Sequence, residues 1–184
     1  MSTTTRSLKQ KLAGVSRLWD KGDYDSALAE VETLLKMWPG NAHLHVMWAN
    51  LVQLQENPTH SLDEARQALQ TAIELDKTSP AAGIELGHFL DAVDDDPRAA
   101  ARVFADAATL ARAQLIEGLL GQARALVQLG KKQDSRRCLL EVLHFVGSEP
   151  NGKRQTSTNG TPTKGRLSDE LKELLGEVFL GRTA

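Results

Sequence analysis

The residues of this chain that could do acid–base or metal chemistry are few, and histidine is the first type to consider. His43 and His45 stand two residues apart, which places them on nearly opposite sides of a helix and does not let both bind one metal ion. We expect the remaining histidines, His60, His88 and His144, to be surface or groove residues rather than ligands. The spacing therefore predicts neither a metal site nor a catalytic histidine.

Cys138 is the one cysteine of the 184 residues, so the chain has no intrachain disulfide. It lies between Arg137 and Leu139, in a stretch whose apolar residues recur at helical spacing. A cysteine on a packed helix behaves as a small apolar residue. We therefore expect a buried and inert thiol rather than a nucleophile.

Two short runs suggest ligand binding, but their spacing does not support it. Asp94-Asp95-Asp96 could indicate calcium, yet the alternating ligands, central glycine and distal glutamate of an EF-hand loop are missing. Asp96 as a helix cap, with Pro97 in the first turn, explains the same residues. Gly130-Lys131-Lys132 lacks the upstream glycine and the Ser or Thr of a phosphate loop.

Composition and charge exclude further classes of partner and function. The net charge is −2, so no overall field favours nucleic acid or an anionic membrane as a partner. No apolar run approaches the ~18 residues that a membrane span needs. The stretch 1–7 is polar and lacks the hydrophobic core of a signal peptide, so we expect a cytoplasmic protein. The sequence predicts no enzymatic activity, no catalytic residue, no bound metal and no cofactor.

The helices that must position any functional surface follow from a repeated pattern. A small residue recurs at Ala27, Ala65, Ala100 and Ser135, with spacings of 38, 35 and 35 residues. Apolar residues follow each of them at +4, +7 and +8, which makes one buried helical stripe. These residues are Val31, Leu34 and Leu35; Leu69, Ala72 and Ile73; Phe104, Ala107 and Ala108; and Leu139, Val142 and Leu143.

Another helix is predicted before each of these four stripes, and it is the first helix of its repeat. These helices are Leu8–Lys21, Ala42–Gln55, Pro80–Val93 and Ile116–Leu129. A period of about 34 residues built from two helices is typical of a helical solenoid. The pattern therefore predicts an all-α repeat domain of about four helix pairs; the alternative is an irregular helical bundle with chance periodicity.

At these positions the chain resembles the tetratricopeptide repeat (TPR) family. The family pattern has a Leu-Gly pair in the first helix, Ala-x-x-x-Phe in the second and a proline after it. The third repeat fits this pattern through Leu86-Gly87, Leu90, Ala100 and Phe104. The first repeat fits it through Gly22, Tyr24, Ala27, Leu34, Pro39 and Asn41. Ser135 replaces alanine in the fourth, and Lys77, Arg112 and Gly147 stand where proline would. The chain thus resembles a stand-alone TPR-like protein of bacterial type with a degenerate repeat motif. This resemblance implies a right-handed solenoid.

This organisation gives three predicted regions. The TPR-like repeat domain covers 6–146, with repeats at about 8–41, 42–79, 80–114 and 116–146. The stretch 147–167 is rich in polar residues, Gly and Pro, and we expect a flexible linker there rather than a nucleic-acid contact. A C-terminal amphipathic helix is predicted at 168–182, with the stripe Leu171, Leu174, Leu175, Val178 and Phe179. It could cap the last helix pair or, alternatively, dock in a groove within one chain or as a homodimer.

The resemblance also implies where a partner would bind. In this family the first helices of successive repeats line a concave groove. On this chain the candidate groove residues that follow are Lys9, Ser16, His43, Met47, Asn50, Glu85, His88, Glu117, Arg124 and Gln128. Family members that grip acidic chain ends use basic residues in the first and third repeats, but Ala81 and Glu85 occupy the third-repeat places here, so we do not expect that clamp.

The function expected from the sequence is a non-enzymatic scaffold that binds a protein or peptide in this groove. The alternative is a small client-specific chaperone that shields an apolar segment of one partner. A chaperone of that kind should expose an apolar groove of several hundred Å².

Overall fold

The structure is a computed structural model that describes residues 2–56, 58–147 and 164–180 of the chain, without the side chains of 2–7, 164–168, 170 and 180. This part of the chain is all-helical, as predicted. Its eight helices are α1 (Ser2–Asp20), α2 (Tyr24–Met37), α3 (Ala42–Gln53), α4 (Leu62–Leu75), α5 (Ala81–Ala92), α6 (Pro97–Gln128), α7 (Lys132–Gly147) and α8 (Lys164–Leu180). The chain divides into two compact units, one up to Ala111 and one from Arg112.

Short polar side chains begin four of the helices, α2, α3, α4 and α6, by accepting from otherwise unpaired N–H groups of the first turn. Asp23 Oδ1 accepts from the Ser26 amide at 3.2 Å, and Asn41 Oδ1 accepts from Leu44 at the same distance. The predicted cap at Asp96 is confirmed, because its Oδ1 accepts from the Ala99 amide at 2.9 Å. Of the acidic run before α6, Asp96 thus serves helix initiation, while Asp94 forms an ion pair with Arg66 at 3.1 Å.

Ser61 is followed three residues later by Glu64, a spacing that predicts a capping box, and helix α4 begins with one. The Ser61 hydroxyl accepts from the Glu64 amide at 3.2 Å, and Glu64 Oε2 accepts from the Ser61 amide at 2.7 Å. The two residues therefore satisfy one another's backbone donors, which fixes the start of the helix after the irregular stretch that precedes it.

The first unit has a core built on the repeated stripe of small and apolar residues. Ala27 and Ala65 are fully buried, and Ala100 is 2% exposed. The +7 residues Leu34 and Ala72 are also fully buried, whereas the +8 residues Leu35 and Ile73 are half-buried at the edge of the core. Val31 and Leu69, the +4 residues of the first two repeats, are fully buried as well, so the small residue and its +4 and +7 neighbours are the inner positions there.

The Leu-Gly and Phe signature of the third repeat marks a close approach of α5 to α6. A Cβ placed on Gly87 would lie 2.6 Å from Phe104 Cε1, and a Cβ on Gly83 would lie 3.2 Å from Ala107 Cβ. At Gly87 the neighbouring helix occupies the space of a side chain, and at Gly83 it leaves little room for one. The sequence predicts close helix approach at the helix-interior glycines Gly83, Gly118 and Gly121, because glycine there is costly to a helix. At Gly83 this prediction is confirmed.

The same prediction is wrong at Gly118 and Gly121, where an added Cβ meets nothing within 4 Å. Our prediction of two helices with a turn between Ala111 and Ile116 is also wrong, because α6 runs without a break from Pro97 to Gln128. The stretch 107–117 contains no Gly, Pro, Asn or Asp and is composed mainly of good helix formers. Arg112, where the repeat family has proline, allows the helix to continue.

The second unit consists of the C-terminal part of α6 together with α7 and α8. Its core includes Ile116, Leu120, Leu139 and Val142. Ser135, which stands in the small-residue position of this repeat, is fully buried, and its hydroxyl donates to the Ala123 carbonyl at 3.1 Å. That hydrogen bond offsets the cost of burying the hydroxyl.

Helix α8 packs against α7 through its apolar stripe. Leu174 and Val178 are 5% and 4% exposed, and they belong to the same core as Leu139 and Val142. Phe179 lies at the edge, where the Arg136 guanidinium carbon is 4.8 Å from the centre of its ring. This contact combines a cation–π attraction with cover for the ring.

The ends of the helices differ from the predicted ranges at several places. Helix α1 begins at Ser2, six residues before the predicted start at Leu8, because a helix once nucleated extends at little cost. Helix α8 begins at Lys164, four residues before the predicted start, so 164–167 is not part of a linker. The remainder of the predicted flexible linker, 148–163, lies outside the described residues.

The contrast between two helix-interior glycines gives a direct test of the repeat register. Gly87→Ala should lower the free energy of unfolding by about 1–3 kcal/mol, because the new methyl group overlaps the Phe104 ring. Gly118→Ala should instead raise it by up to about 1 kcal/mol, because alanine favours the helix and meets no obstacle. Urea denaturation followed by circular dichroism measures both, and a shift of the same sign in the two variants would contradict the packing described.

The single thiol reports whether α8 covers the core of the second unit. Cys138 is 7% exposed and shares that core with Leu174. Leu174→Ala should cost about 2–5 kcal/mol and speed the reaction of Cys138 with a disulfide reagent. Leu140→Ala is the control, because Leu140 is 55% exposed on α7 and its truncation should leave the rate unchanged. Equal labelling rates in both variants would show that α8 does not protect this core.

Candidate functional site

A concave pocket of about 740 Å³ lies between α1, α3 and α5 in the first unit. We call it the α1–α3–α5 pocket. Helix α1 contributes Leu12, Ala13, Ser16 and Trp19. Helix α3 contributes His43, Val46, Met47 and Asn50, and helix α5 contributes Ala81, Ile84 and Glu85.

The spacing of the lining residues explains why they share one surface. On α3 they stand at i, i+3, i+4 and i+7, counted from His43, which is one face of a helix. Leu44 and Leu51, each one position after a lining residue, are turned away from the pocket and are fully buried in the core. Each first helix therefore has one side in the core and one side in the pocket.

Most of the pocket lining is apolar, and its polar groups are separated from one another. Ser16, His43, Asn50 and Glu85 are the polar members, contributed by three different helices. Ile84 is 37% exposed, whereas Trp19, Val46 and Met47 are half-buried. An apolar surface with a few placed polar groups is typical of a binding site.

A hydrogen bond between α3 and α5 joins two of the polar groups. Asn50 Nδ2 donates to Glu85 Oε2 at 3.3 Å, across 35 residues of sequence. Both side chains are half-buried. Within the described residues, no lysine, arginine or histidine forms an ion pair with Glu85. The pocket therefore contains a carboxylate that is oriented by an amide and that no cation among the described side chains neutralises.

The structure brings five of the ten predicted groove residues together in this pocket. They are Ser16, His43, Met47, Asn50 and Glu85. Lys9 and His88 do not line it; the His88 ring instead meets the Phe104 ring edge to face, with 5.0 Å between the centroids. Binding by any of these residues stays a prediction.

The other three predicted groove residues are Glu117, Arg124 and Gln128, which are exposed on the part of α6 that belongs to the second unit. Sequence reasoning placed them on a separate first helix, which the continuous α6 replaces. It also missed Leu12, Trp19, Val46 and Ile84, because the predicted stripe was too narrow to include residues one position away from it.

A second group of polar side chains surrounds His60, outside the pocket. His60 Nε2 is 2.7 Å from Glu32 Oε1, and its Nδ1 is 3.9 Å from Glu64 Oε2. The imidazole also meets the Trp48 ring edge to face, at 4.9 Å between centroids. His60 thus connects α2, α3 and the start of α4. The i, i+4 relation of His60 and Glu64 was visible in the sequence and we overlooked it.

The groups that could do chemistry are not assembled for it in the described part of the chain. No cluster of three or more His, Cys, Asp or Glu side chains there could hold a metal ion. Burial raises the pKa of the Cys138 thiol, and Glu141 adds to the effect, so the nucleophilic thiolate is disfavoured. No helix within the described ranges is long and apolar enough to cross a bilayer.

Comparison with known proteins gives similarity of fold. No family model matches the chain, and no curated protein matches it. Among solved structures, residues 41 to the end of MamA from Desulfovibrio magneticus RS-1 match at 23% identity with a TM-score of 0.50. That match covers 56% of this chain and 56% of the other, so this chain spans little more than half the length of that relative.

Two crystal structures of MamA match at lower TM-scores. One is 18% identical over 76% of this chain and 73% of the other, with a TM-score of 0.47. The second is 17% identical over 90% and 92%, with a TM-score of 0.44. The likeness to the Desulfovibrio magneticus fragment, at a TM-score of 0.50, shows a helical-repeat fold, whereas the assignment to the TPR family stays a prediction.

The capping box predicts an acid dependence of stability. Hydrogen bonds from the Ser61 amide and then the Ser61 hydroxyl hold the pKa of Glu64 below its usual value, with a further contribution from His60. Because the folded pKa is the lower one, this stabilisation is present above the unfolded pKa and is lost as the pH falls through the folded one. Glu64→Gln should therefore be less stable than the wild type at pH 7, and the difference should shrink between about pH 5 and pH 3.

Thermal unfolding across this pH range measures the difference. Glu74→Gln, in the last turn of the same helix, is the matched control, because Glu74 is exposed and has no role in the cap. A difference between wild type and Glu64→Gln that persists unchanged at pH 3 would contradict the assignment to the ionised carboxylate.

Proposed function

We propose that the first unit binds a short segment of another protein in the α1–α3–α5 pocket. The observation that carries the proposal is the pocket itself: a concave, mainly apolar surface with separated polar groups, on one face of each of three helices. Burying apolar area contributes roughly 25 cal/mol per Å², so a segment with apolar side chains gains free energy by entering. The polar groups then fix its register.

The polar groups of the pocket are arranged for recognition rather than for reaction. Ser16 and His43 are the two that could form a nucleophile and its base, but no hydrogen bond joins them in the described part of the chain. His43 and Glu85 are likewise not bonded to each other. This arrangement supports a binding module over an enzyme.

The size of the pocket supports a short bound segment. A volume of about 740 Å³ holds a few side chains and lies within the range of about 300–1,000 Å³ that ligand sites have. Of its large apolar residues, Ile84 is exposed while the others are half-buried. A chaperone for a long apolar segment is therefore the second candidate, since it would need more exposed apolar surface than this lining offers.

A matched pair of exposed apolar residues tests the proposal. Ile84 lines the pocket and is 37% exposed, while Leu143 lies outside it on α7 and is 39% exposed. Random peptides displayed on phage are selected on the full chain and then tested on Ile84→Glu and Leu143→Glu. We expect selected peptides to bind the Leu143→Glu variant as they bind the wild type and to lose about tenfold or more in affinity for Ile84→Glu, because a carboxylate would be desolvated against apolar side chains.

Circular dichroism and thermal unfolding confirm that both variants fold, as expected for substitutions at exposed positions. If the selected peptides bind Ile84→Glu as tightly as they bind the wild type, the pocket is not the binding surface. Failure to select any peptide would also count against the proposal.

A further inference from the structure

The α1–α3–α5 pocket contains one feature that an apolar peptide site does not require. Glu85 places a carboxylate in the apolar lining, half-buried, with the Asn50 amide as its hydrogen-bond partner. Desolvating a carboxylate is costly unless an opposite charge or several donors compensate for it. A wholly apolar segment that covered Glu85 would therefore bind poorly.

We infer that the segment bound in this pocket carries a lysine or arginine that pairs with Glu85, beside the apolar side chains that fill the rest of the volume. The inference rests on the proposed function and specifies the chemistry of the partner. The charge inferred for this partner is opposite to that of an acidic chain end, which Glu85 would repel.

The hydrogen-bonding capacity of the pair agrees with a cationic partner. Asn50 uses its amide group as a donor to Glu85, so what the pair offers a ligand is chiefly the acceptors of the carboxylate. An ammonium or guanidinium group has only donors. Hydrogen bonds between such ionised groups are also stronger than neutral ones.

Geometry makes Asn50 a positioning residue for this contact. It holds the Glu85 carboxylate from the neighbouring helix at 3.3 Å, so one carboxylate oxygen is already fixed before a ligand arrives. Pre-ordering of a side chain lowers the entropy cost of binding. Met47 and Ile84 line the same pocket, so a segment bound there would cover them together with Glu85 and displace water, which would strengthen the interaction of the two charges.

The test uses the same displayed peptide library and the full chain. Peptides selected on the wild type should be enriched in lysine or arginine, and replacing that residue by norleucine should weaken binding by about tenfold or more, the effect expected of a hydrogen bond to a charged group. On the Glu85→Gln variant, the same replacement should change affinity by no more than about twofold, because the charge that it paired with is gone.

Three further variants sharpen the result. Glu85→Lys should select peptides enriched in aspartate and glutamate, whereas Glu74→Gln, an exposed glutamate on α4, should select the same peptides as the wild type. Asn50→Ala should reduce the preference for a cation while leaving the apolar part of the selected sequence unchanged.

The outcomes separate this inference from the proposed function. Peptides that depend on Ile84 but bind wild type and Glu85→Gln equally would overturn the cationic partner and leave the pocket as the binding surface. Peptides that bind Ile84→Glu as well as they bind the wild type would overturn the proposed function, and the inference would fall with it.

Discussion

Burial of a small side chain at one recurring position is the constraint on which the helix packing depends. Ala27, Ala65, Ala100 and Ser135 are each 2% exposed or less, although long stretches of different sequence separate them. A larger residue there would force the neighbouring helix outward, since protein interiors hold little free volume. The first helices of the first unit then have one side in the core and one side free, and the α1–α3–α5 pocket is made of those free sides.

Much of the fold could be predicted because the information is local. Asp23, Ser61 and Asp96 begin helices through contacts with residues three positions away, so their roles are readable from the sequence. The uninterrupted α6 could have been predicted from the same kind of signal, since nothing between 107 and 117 ends a helix. The phase of the repeat indicates two helices in this stretch, but the helix propensity of its residues favours one continuous helix, and the propensity decides.

The candidate site was less predictable, since it depends on how helices rotate against one another. A rotation of one residue exchanges which side chains enter the pocket, and that is why Trp19 and Ile84 were missed while Met47 and Asn50 were included. The hydrogen bond between Asn50 and Glu85 joins residues one repeat apart, and no pattern within a single helix indicates it. His60 has partners of both kinds. Glu64 stands four residues after it, so the sequence indicates that contact, whereas Glu32 comes from another helix and no local pattern indicates it.

Ser135 shows how far such a chain can drift from a recognisable motif. Its volume suits the position as alanine does, and its hydroxyl finds an acceptor in the Ala123 carbonyl, so serine satisfies the packing at this position as alanine does at the other three. A requirement of volume can be met by several residue types at each position, and neutral substitution then removes the conserved letters while the helices stay in place. Chains under this kind of selection share a backbone arrangement long after their sequences have stopped matching.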